Sequence, residues 1–255
     1  MPTTDILVLD FDGVLCDSAQ ETGISAWRAG QRFFPDWGGD FPPPAFLAAF
    51  VAVRPVLETG FQAILLMRRI ADGVPVDQIR AEGAAAAQAL MPRLGLEKSA
   101  LVKAFGAARD AWIATDLASW LACHRFYTGT LDRLREQQAA GCPVLISTTK
   151  QERFVVALLA GEGVELPADR ILGLDSGKKK EQVLREALAE SPGRRIHFVE
   201  DRLDTLRRVE QCPELDAVRL HYADWGYGLP AELAEAQADP RLQVWSLDQF
   251  LQLES

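Results

Sequence analysis

A short buried strand that ends in two carboxylates constrains the fold of this chain most strongly. Residues 6–9 read Ile-Leu-Val-Leu, an apolar run typical of a strand buried on both faces. Asp10 and Asp12 follow one residue apart, and Gly13 comes next. Carboxylates at the edge of an apolar interior are costly unless hydrogen bonds, a cation or a metal compensate them. A plain turn with Asx hydrogen bonds is the alternative interpretation.

Strands and helices alternate from residue 126 onward. Apolar or β-branched runs predict further strands, separated by helical patterns, at residues 143–148, 170–172, 196–199, 217–220 and, with a weaker signal, 242–245. Such alternation is typical of a parallel sheet with helices on both faces. The sequence therefore predicts an α/β protein with a Rossmann-like, doubly wound parallel sheet.

The segment between the first strand and residue 126 has a different pattern. In a plain doubly wound fold the next strand would follow after about thirty residues, but here Ala- and Leu-rich helical patterns continue for about a hundred. Helices are predicted at residues 45–70, 76–91 and 97–121. We therefore expect an α/β core domain of residues 1–18 and 123–255, with residues 19–122 inserted as an all-helical domain.

Composition and charge limit the classes of partner. The chain has 255 residues, 48% of them hydrophobic, and a net charge of −9. No basic run is long enough to follow a nucleic-acid backbone, and no apolar run approaches the ~20 residues that span a bilayer. The first strand leaves no room for a signal peptide before it. We therefore expect a cytoplasmic protein without a nucleic-acid or membrane partner; the sequence leaves the oligomeric state open.

Polar side chains lie at or after the ends of three further predicted strands of the α/β part. Because the carboxyl ends of parallel strands meet at one edge of a sheet, these groups are expected to share one crevice with the first two carboxylates. They are Thr148, Thr149 and Lys150, the lysine triplet Lys178–Lys180, and the acidic pair Glu200 and Asp201 with Asp204 nearby. Taken singly, the threonines could simply close a strand and the lysines could form a solvated face.

These pieces together resemble a known family. Asp10-x-Asp12-Gly13-Val14-x-x-Asp17-Ser18 is similar to the first motif of the haloacid dehalogenase superfamily. The order of acid pair, hydroxyl, lysine and acid pair along the whole chain also matches that superfamily. Residues 126–130 resemble its usual lead-in to the second motif. The resemblance is to phosphatases with a helical cap, in the group of phosphoglycolate phosphatase and β-phosphoglucomutase, and makes residues 19–122 the cap.

The resemblance implies a catalytic role for four residues. Asp10 would attack phosphorus and form an aspartyl-phosphate, and Asp12 would act as general acid and then base. Thr148, with Ser147 as the alternative, would bind the phosphoryl oxygens. Lys178 would supply the cation beside Asp10, with Lys179 and Lys180 as alternatives.

The same resemblance implies Mg²⁺ as the cofactor. The metal would be held by the Asp10 carboxylate, the main-chain carbonyl of Asp12 and Asp201, with Glu200 binding directly or through a water molecule. Oxygen ligands of this kind suit a hard divalent cation. Such a cation would also reduce the repulsion between a carboxylate nucleophile and a phosphate dianion.

The implied reaction is hydrolysis of a small phosphorylated metabolite. Its identity would depend on the cap, where Arg28, Arg54, Arg68 and Arg69 are the candidate contacts. An acid two residues after the nucleophile favours a phosphate ester over a halide, because an alcohol leaving group needs a proton. Two alternatives remain open: a phosphosugar mutase of the same fold, and a non-catalytic phosphate-binding or regulatory protein.

Overall fold

A computed structural model describes residues 5–253 of the chain. The chain divides into two compact units. The first, which we call the α/β unit, consists of Met1–Asp17 and Phe126–Ser255, and the second, the helical unit, of Ser18–Arg125. All strands of the main sheet belong to the α/β unit, whereas the helical unit lies between the first strand and the rest of that sheet in the sequence.

The strands are short and the helices are of very different lengths. The described strands are β1 (Ile6–Leu9), β2 (Cys16–Asp17), β3 (Arg125–Phe126), β4 (Val144–Ser147), β5 (Ile171–Leu172), β6 (Ile196–Glu200), β7 (Val218–Ala223) and β8 (Leu242–Trp245). The described helices are α1 (Ala19–Gly30), α2 (Pro44–Val53), α3 (Gln62–Ala71), α4 (Val76–Gln88), α5 (Leu90–Leu94), α6 (Lys98–Ala122), α7 (Thr130–Ala139), α8 (Glu152–Gly161), α9 (Lys180–Glu190), α10 (Leu203–Glu210), α11 (Pro230–Ala238) and α12 (Leu247–Leu251).

Six strands form one parallel sheet in the order β5-β4-β1-β6-β7-β8. The predicted fold class is therefore confirmed, including the weakly signalled strand at residues 242–245. β1 lies in the middle, and its last residue, Leu9, is paired with Ile146 of β4 and Val199 of β6. Because all four residues of β1 are buried, the strand shows the unbroken apolar pattern of a strand covered on both sides.

The direction in which the chain crosses the sheet reverses beside β1. From β1 the chain continues to β4 and β5 on one side, and it then returns to β6, β7 and β8 on the other. Open α/β sheets form their ligand crevices outside the carboxyl ends of the strands at such a reversal. Here Asp10 comes directly after the last residue of β1, and Glu200 is the last residue of β6.

One face of the sheet packs against helices α9 and α10. Ile6, Val8, Phe198 and Leu220 share a buried cluster with apolar residues of those helices, among them Leu206. Burial of one such side chain stabilises a fold by about 1.5–3 kcal/mol. This packing fixes the strand ends, and with them the side chains that follow each strand.

The helical unit has an apolar core of its own. Ten of the twelve residues of α1 are buried, and Trp27 stacks on Trp37 with 4.6 Å between the ring centroids. Gly30 makes this contact possible, because a Cβ atom there would lie 2.2 Å from Cζ3 of Trp37.

The helical segment departs from the sequence prediction in two places. The predicted helix at residues 45–70 is two helices, since α2 ends at Val53 and a short 3₁₀ turn that contains Pro55 follows. Proline lacks the N–H that a helix interior requires. Gly83 interrupts α4 with a φ of 66°, a conformation that glycine adopts without strain. No helix among residues 5–253 is long and apolar enough to cross a membrane.

Candidate active site

The turn after β1 places Asp10 and Asp12 at the carboxyl edge of the sheet. The Asp10 N–H donates to the Val199 carbonyl of β6 at 3.0 Å, which continues the ladder by one residue. The N–H groups of Leu15 and Cys16 both donate to the Phe11 carbonyl at 3.0 Å and close the turn. Asp10 is therefore held at a strand end, and it is 7% exposed.

Lys180 is the lysine that contacts the predicted nucleophile. Its Nζ lies 2.8 Å from Oδ1 of Asp10 and 2.5 Å from Oε2 of Glu200. Lys178, the residue predicted for this position, instead pairs through Nζ with Glu186 at 2.6 Å. This corrects the prediction within the triplet. The physical reason is that α9 begins at Lys180. The start of this helix faces the strand ends, and Lys178 lies before it.

Burial and neighbouring charges change the pKa values at this point of the sheet. Burial raises the pKa of Asp10 to about 6, and the Glu200 and Asp12 charges add to the rise while Lys180 opposes it. Burial also raises the pKa of Glu200, again against the effect of Lys180. Burial lowers the pKa of Lys180, but the Asp10 and Glu200 carboxylates raise it more, so it stays above its ordinary value. Lys180 is therefore a permanent cation beside two carboxyl groups.

Asp12 has a second lysine as its partner. Nζ of Lys150 lies 2.9 Å from Oδ1 and 3.2 Å from Oδ2 of Asp12, and the Lys150 side chain is fully buried. The pair connects the turn after β1 to the segment after β4. Asp10 and Asp12 thus have different counter-ions, although they are only one residue apart.

Asp10, Glu200 and Asp201 form an acidic cluster in which one carboxylate oxygen of each residue lies within 4.8 Å of the others. With Asp12 the site holds four carboxylates and two lysines, an excess of two negative charges when all of them are ionised. Clustered carboxylate oxygens with this excess fit a hard divalent cation such as Mg²⁺. The chemistry of the donor set therefore agrees with the predicted metal ligands Asp10, Glu200 and Asp201.

Gly13 allows the turn to pack directly against Asp201. Its φ is +95°, and a Cβ atom there would lie 1.9 Å from Oδ2 of Asp201. No other residue type fits both this backbone conformation and this space. The glycine of the first motif is thus explained by its contact with the acidic pair after β6.

Thr148 and Ser147 lie at the end of β4, beside the end of β1. Both side chains are buried, and Oγ1 of Thr148 accepts a hydrogen bond from the Lys150 N–H at 3.2 Å. The bond helps to close the turn that carries Lys150. Binding of phosphoryl oxygens by Thr148, or by Ser147 in its place, stays a prediction.

The four candidate arginines of the helical unit have local partners. Arg68 pairs with Asp72, and Arg69 pairs with Glu82. The Arg28 guanidinium lies over the Trp112 ring at 4.0 Å, and Nη1 of Arg54 donates weakly to the Leu57 carbonyl at 3.5 Å. Each arginine thus takes part in the packing of its own unit, and a contact with substrate stays a prediction.

Two residues of the site were not given a role from the sequence. Lys150 lies two residues after Thr148, so its position just after a strand was the available signal. Tyr227 lies in a loop far along the chain, yet its backbone N–H donates to Oδ2 of Asp201 at 2.7 Å. A contact between residues 26 positions apart leaves no local pattern in a single sequence.

Comparisons with known proteins agree on the fold. No family model matches the sequence, and no curated protein matches it. Solved structures do match over nearly the whole chain. One from Clostridium acetobutylicum, described as a predicted phosphatase, has 18% identity and a TM-score of 0.60, and the match covers 97% of this chain and 96% of the other.

Two further solved structures also match the fold of this chain over nearly its whole length. A predicted phosphoglycolate phosphatase from Haemophilus somnus 129pt has 17% identity and a TM-score of 0.59, with 98% of this chain and 96% of the other covered. A haloacid dehalogenase-like family hydrolase from Streptococcus pneumoniae has 15% identity and a TM-score of 0.55, with 98% and 97% covered. At such identities the likeness concerns the fold, and activity must be argued from the site. The protein therefore has the fold of the haloacid dehalogenase-like phosphatases, as the motifs after its strands predicted.

Proposed function

We propose that this protein is a Mg²⁺-dependent phosphatase that hydrolyses a small phosphorylated metabolite through an aspartyl-phosphate on Asp10. One observation carries the proposal: two carboxylates follow the central strand, and each is paired with its own lysine, Asp12 with the buried Lys150 and Asp10 with the partly buried Lys180. The reaction needs two carboxyl groups with different tasks, one that bonds to phosphorus and one that moves protons.

In the first step an Asp10 carboxylate oxygen bonds to phosphorus while the bond from phosphorus to the leaving oxygen breaks. Asp12, in its protonated form, donates its proton to that oxygen, so the leaving group departs as an alcohol. Lys180, 2.8 Å from Asp10, orients the nucleophile and balances charge on the phosphoryl group. Thr148 donates its hydroxyl hydrogen to a phosphoryl oxygen.

In the second step a water oxygen bonds to phosphorus while the bond from phosphorus to Asp10 breaks. Asp12, now a carboxylate, accepts the proton that the water loses. The products are inorganic phosphate and the free Asp10 carboxylate, and Asp12 is again protonated for the next cycle. Lys150 donates to both oxygens of the Asp12 carboxylate, the form of Asp12 that accepts the proton in this step, and so holds the base in place.

Asp10, Glu200 and Asp201 would hold the Mg²⁺ ion together with the Asp12 main-chain carbonyl. When bound, the ion supplies positive charge against the phosphoryl oxygens and the nucleophile. The excess of negative charge in the cluster supports this assignment.

Phosphate release from p-nitrophenyl phosphate and from a panel of metabolite phosphates tests the proposal. The native protein is expected to release phosphate with Mg²⁺ and to lose this activity with EDTA or with Asp10→Asn. Release that persists in Asp10→Asn would contradict the assignment of the nucleophile. A hexose 1-phosphate that is converted to its 6-phosphate isomer without net phosphate release would favour the mutase alternative.

A further inference from the structure

The loop after β7 is bonded to the turn after β1. This loop, Asp224–Gly228, follows the last residue of β7, Ala223. The Trp225 indole N–H donates to the Val14 carbonyl at 3.0 Å, and the Tyr227 hydroxyl donates to Oδ1 of Asp17 at 2.8 Å. The proposed chemistry uses none of these bonds.

Tyr227 also contacts the acidic cluster, through its backbone. Its N–H donates to Oδ2 of Asp201 at 2.7 Å, and this bond restrains the rotation of the carboxylate. One residue thus holds a candidate metal ligand with its main chain and Asp17 with its side chain. Asp17 is the last residue of the α/β unit before the helical unit begins at Ser18.

The packing around these bonds leaves little room for independent movement. A Cβ atom at Gly13 would lie 1.9 Å from Oδ2 of Asp201 and 2.8 Å from Cδ2 of Tyr227. A Cβ atom at Gly226 would lie 2.4 Å from Cβ of Asp201 and 2.5 Å from the Gly13 carbonyl oxygen. Because close-packed groups cannot shift one at a time, a change at Asp201 must be taken up by the Tyr227 loop and the turn after β1.

We propose that Tyr227 is a positioning residue that couples metal binding at Asp201 to the chain segment at Asp17. The inference rests on the proposed metal site. An ion bound by Asp201 favours the orientation of that carboxylate in which the Tyr227 N–H is bonded. The Tyr227 ring is then fixed, and its hydroxyl holds Asp17. Such a coupling is reciprocal, so the bond to Asp17 favours metal binding by the same factor.

Hydrogen exchange of the full-length protein with and without Mg²⁺ tests the coupling. Tyr227→Phe removes the hydroxyl that donates to Asp17 and keeps both the ring and the backbone N–H. Tyr222→Phe is the matched control, because the Tyr222 hydroxyl is buried and has no hydrogen-bond partner among residues 5–253. Asp17→Ala removes the acceptor from the other side. Isothermal titration with Mg²⁺ measures metal binding by each variant.

In the native protein and in Tyr222→Phe, Mg²⁺ is expected to slow amide exchange in the segment of residues 14–18 by at least about five-fold, the lower end of typical couplings. In Tyr227→Phe this effect should be lost while Mg²⁺ still binds, weakened by no more than the same factor. Asp17→Ala should behave like Tyr227→Phe. The variant with both substitutions should show no further change in exchange or in Mg²⁺ affinity, because the two substitutions remove the same interaction.

The two possible failures can be told apart. If the native protein binds Mg²⁺ without slower exchange at residues 14–18, or if Tyr227→Phe keeps the effect, the coupling is wrong and the metal site stands. If the native protein does not bind Mg²⁺ at all, the metal part of the proposed function is wrong, and the coupling is contradicted with it.

Discussion

Asp10 and Asp12 have separate counter-ions, which suits the two different tasks that the proposed mechanism gives them at one strand end. Lys180 bridges Asp10 and Glu200, whereas Lys150 holds both oxygens of Asp12. A buried ammonium group stabilises a nearby carboxylate strongly, because little solvent screens the pair. Loss of one lysine is therefore expected to affect mainly the carboxylates that it contacts, which are Asp10 and Glu200 for Lys180 and Asp12 for Lys150.

Lys180→Met tests the role of the lysine beside the proposed nucleophile, Asp10. We expect kcat to fall by about 10²–10³-fold, the usual cost of removing one group that stabilises charge in the transition state. Lys178→Met is the matched control, two residues away and paired with Glu186 on the helix surface, and it should keep nearly native kcat. Circular dichroism checks that both variants are folded. Equal losses in the two variants would contradict the assignment of Lys180.

Among the helices, α1 and α6 are joined by a buried ion pair. Both oxygens of Glu21 accept hydrogen bonds from Arg109, at 2.7 and 2.6 Å, and Glu21 is fully buried. Ser25 and the Trp120 indole donate to the same carboxylate. A pair of this kind is costly to break, because the remaining charge has no access to water.

Arg109→Met should therefore destabilise the protein by about 3–5 kcal/mol. Arg68→Met, which removes the surface pair with Asp72 in the same unit, is expected to cost less than about 1 kcal/mol. Urea unfolding monitored by tryptophan fluorescence gives both values. Similar costs for the two variants would show that the Glu21 pair contributes no more than a surface pair does.

Strands β6, β7 and β8 carry a stack of three rings, of which the two histidines are buried. Nδ1 of His197 lies 2.9 Å from Nε2 of His221, and the His221 and Trp245 ring centroids are 3.4 Å apart. Burial, with help from the charges of His197 and Arg219, lowers the pKa of His221 from 6.5 to about 2. Asp5 contacts His197 and is itself paired with Arg195. His221 is thus neutral in the folded protein.

The lowered pKa of His221 predicts a loss of stability in acid. The unfolded chain binds a proton below its ordinary pKa of 6.5, and the folded chain does so only near 2. The stabilisation is complete above pH 6.5 and decreases as the pH falls, by about 1.4 kcal/mol per pH unit. Below about pH 6.5, His221→Gln should show a smaller change in the free energy of unfolding per pH unit than the native protein, as measured by urea unfolding at several pH values. An unchanged slope would mean that His221 does not contribute.

The sequence predicted the strands better than it predicted the helices. β1, β4 and β6 are buried on both faces, so their apolar runs were visible, and the groups after each strand followed from the topology. The interruptions at Pro55 and Gly83 were not predicted, because the Ala- and Leu-rich helical pattern continues on both sides of each residue. The choice among the three lysines depended on where α9 begins, and strand and helix boundaries are the least certain part of a sequence pattern.

For the molecule as a whole, the sheet brings together residues from four separate parts of the sequence. Asp10, Lys150, Lys180 and Asp201 follow or adjoin different strands, and their contacts depend on the order β4-β1-β6. The parallel topology made the convergence predictable. The contacts of Lys150 and Tyr227 were not predictable, because they join loops through side-chain and backbone geometry that only packing determines.

The central claim is that a covalent bond forms between Asp10 and phosphorus, and trapping this species tests it most directly. Asp12→Asn should still react with p-nitrophenyl phosphate, whose leaving group needs no proton, but it lacks the base for the second step. Acid quenching and mass spectrometry of Asp12→Asn are expected to show one phosphoryl group on Asp10, and Asp10→Asn/Asp12→Asn should show none. An unmodified Asp10 in Asp12→Asn, or the same modification in the double variant, would contradict the account.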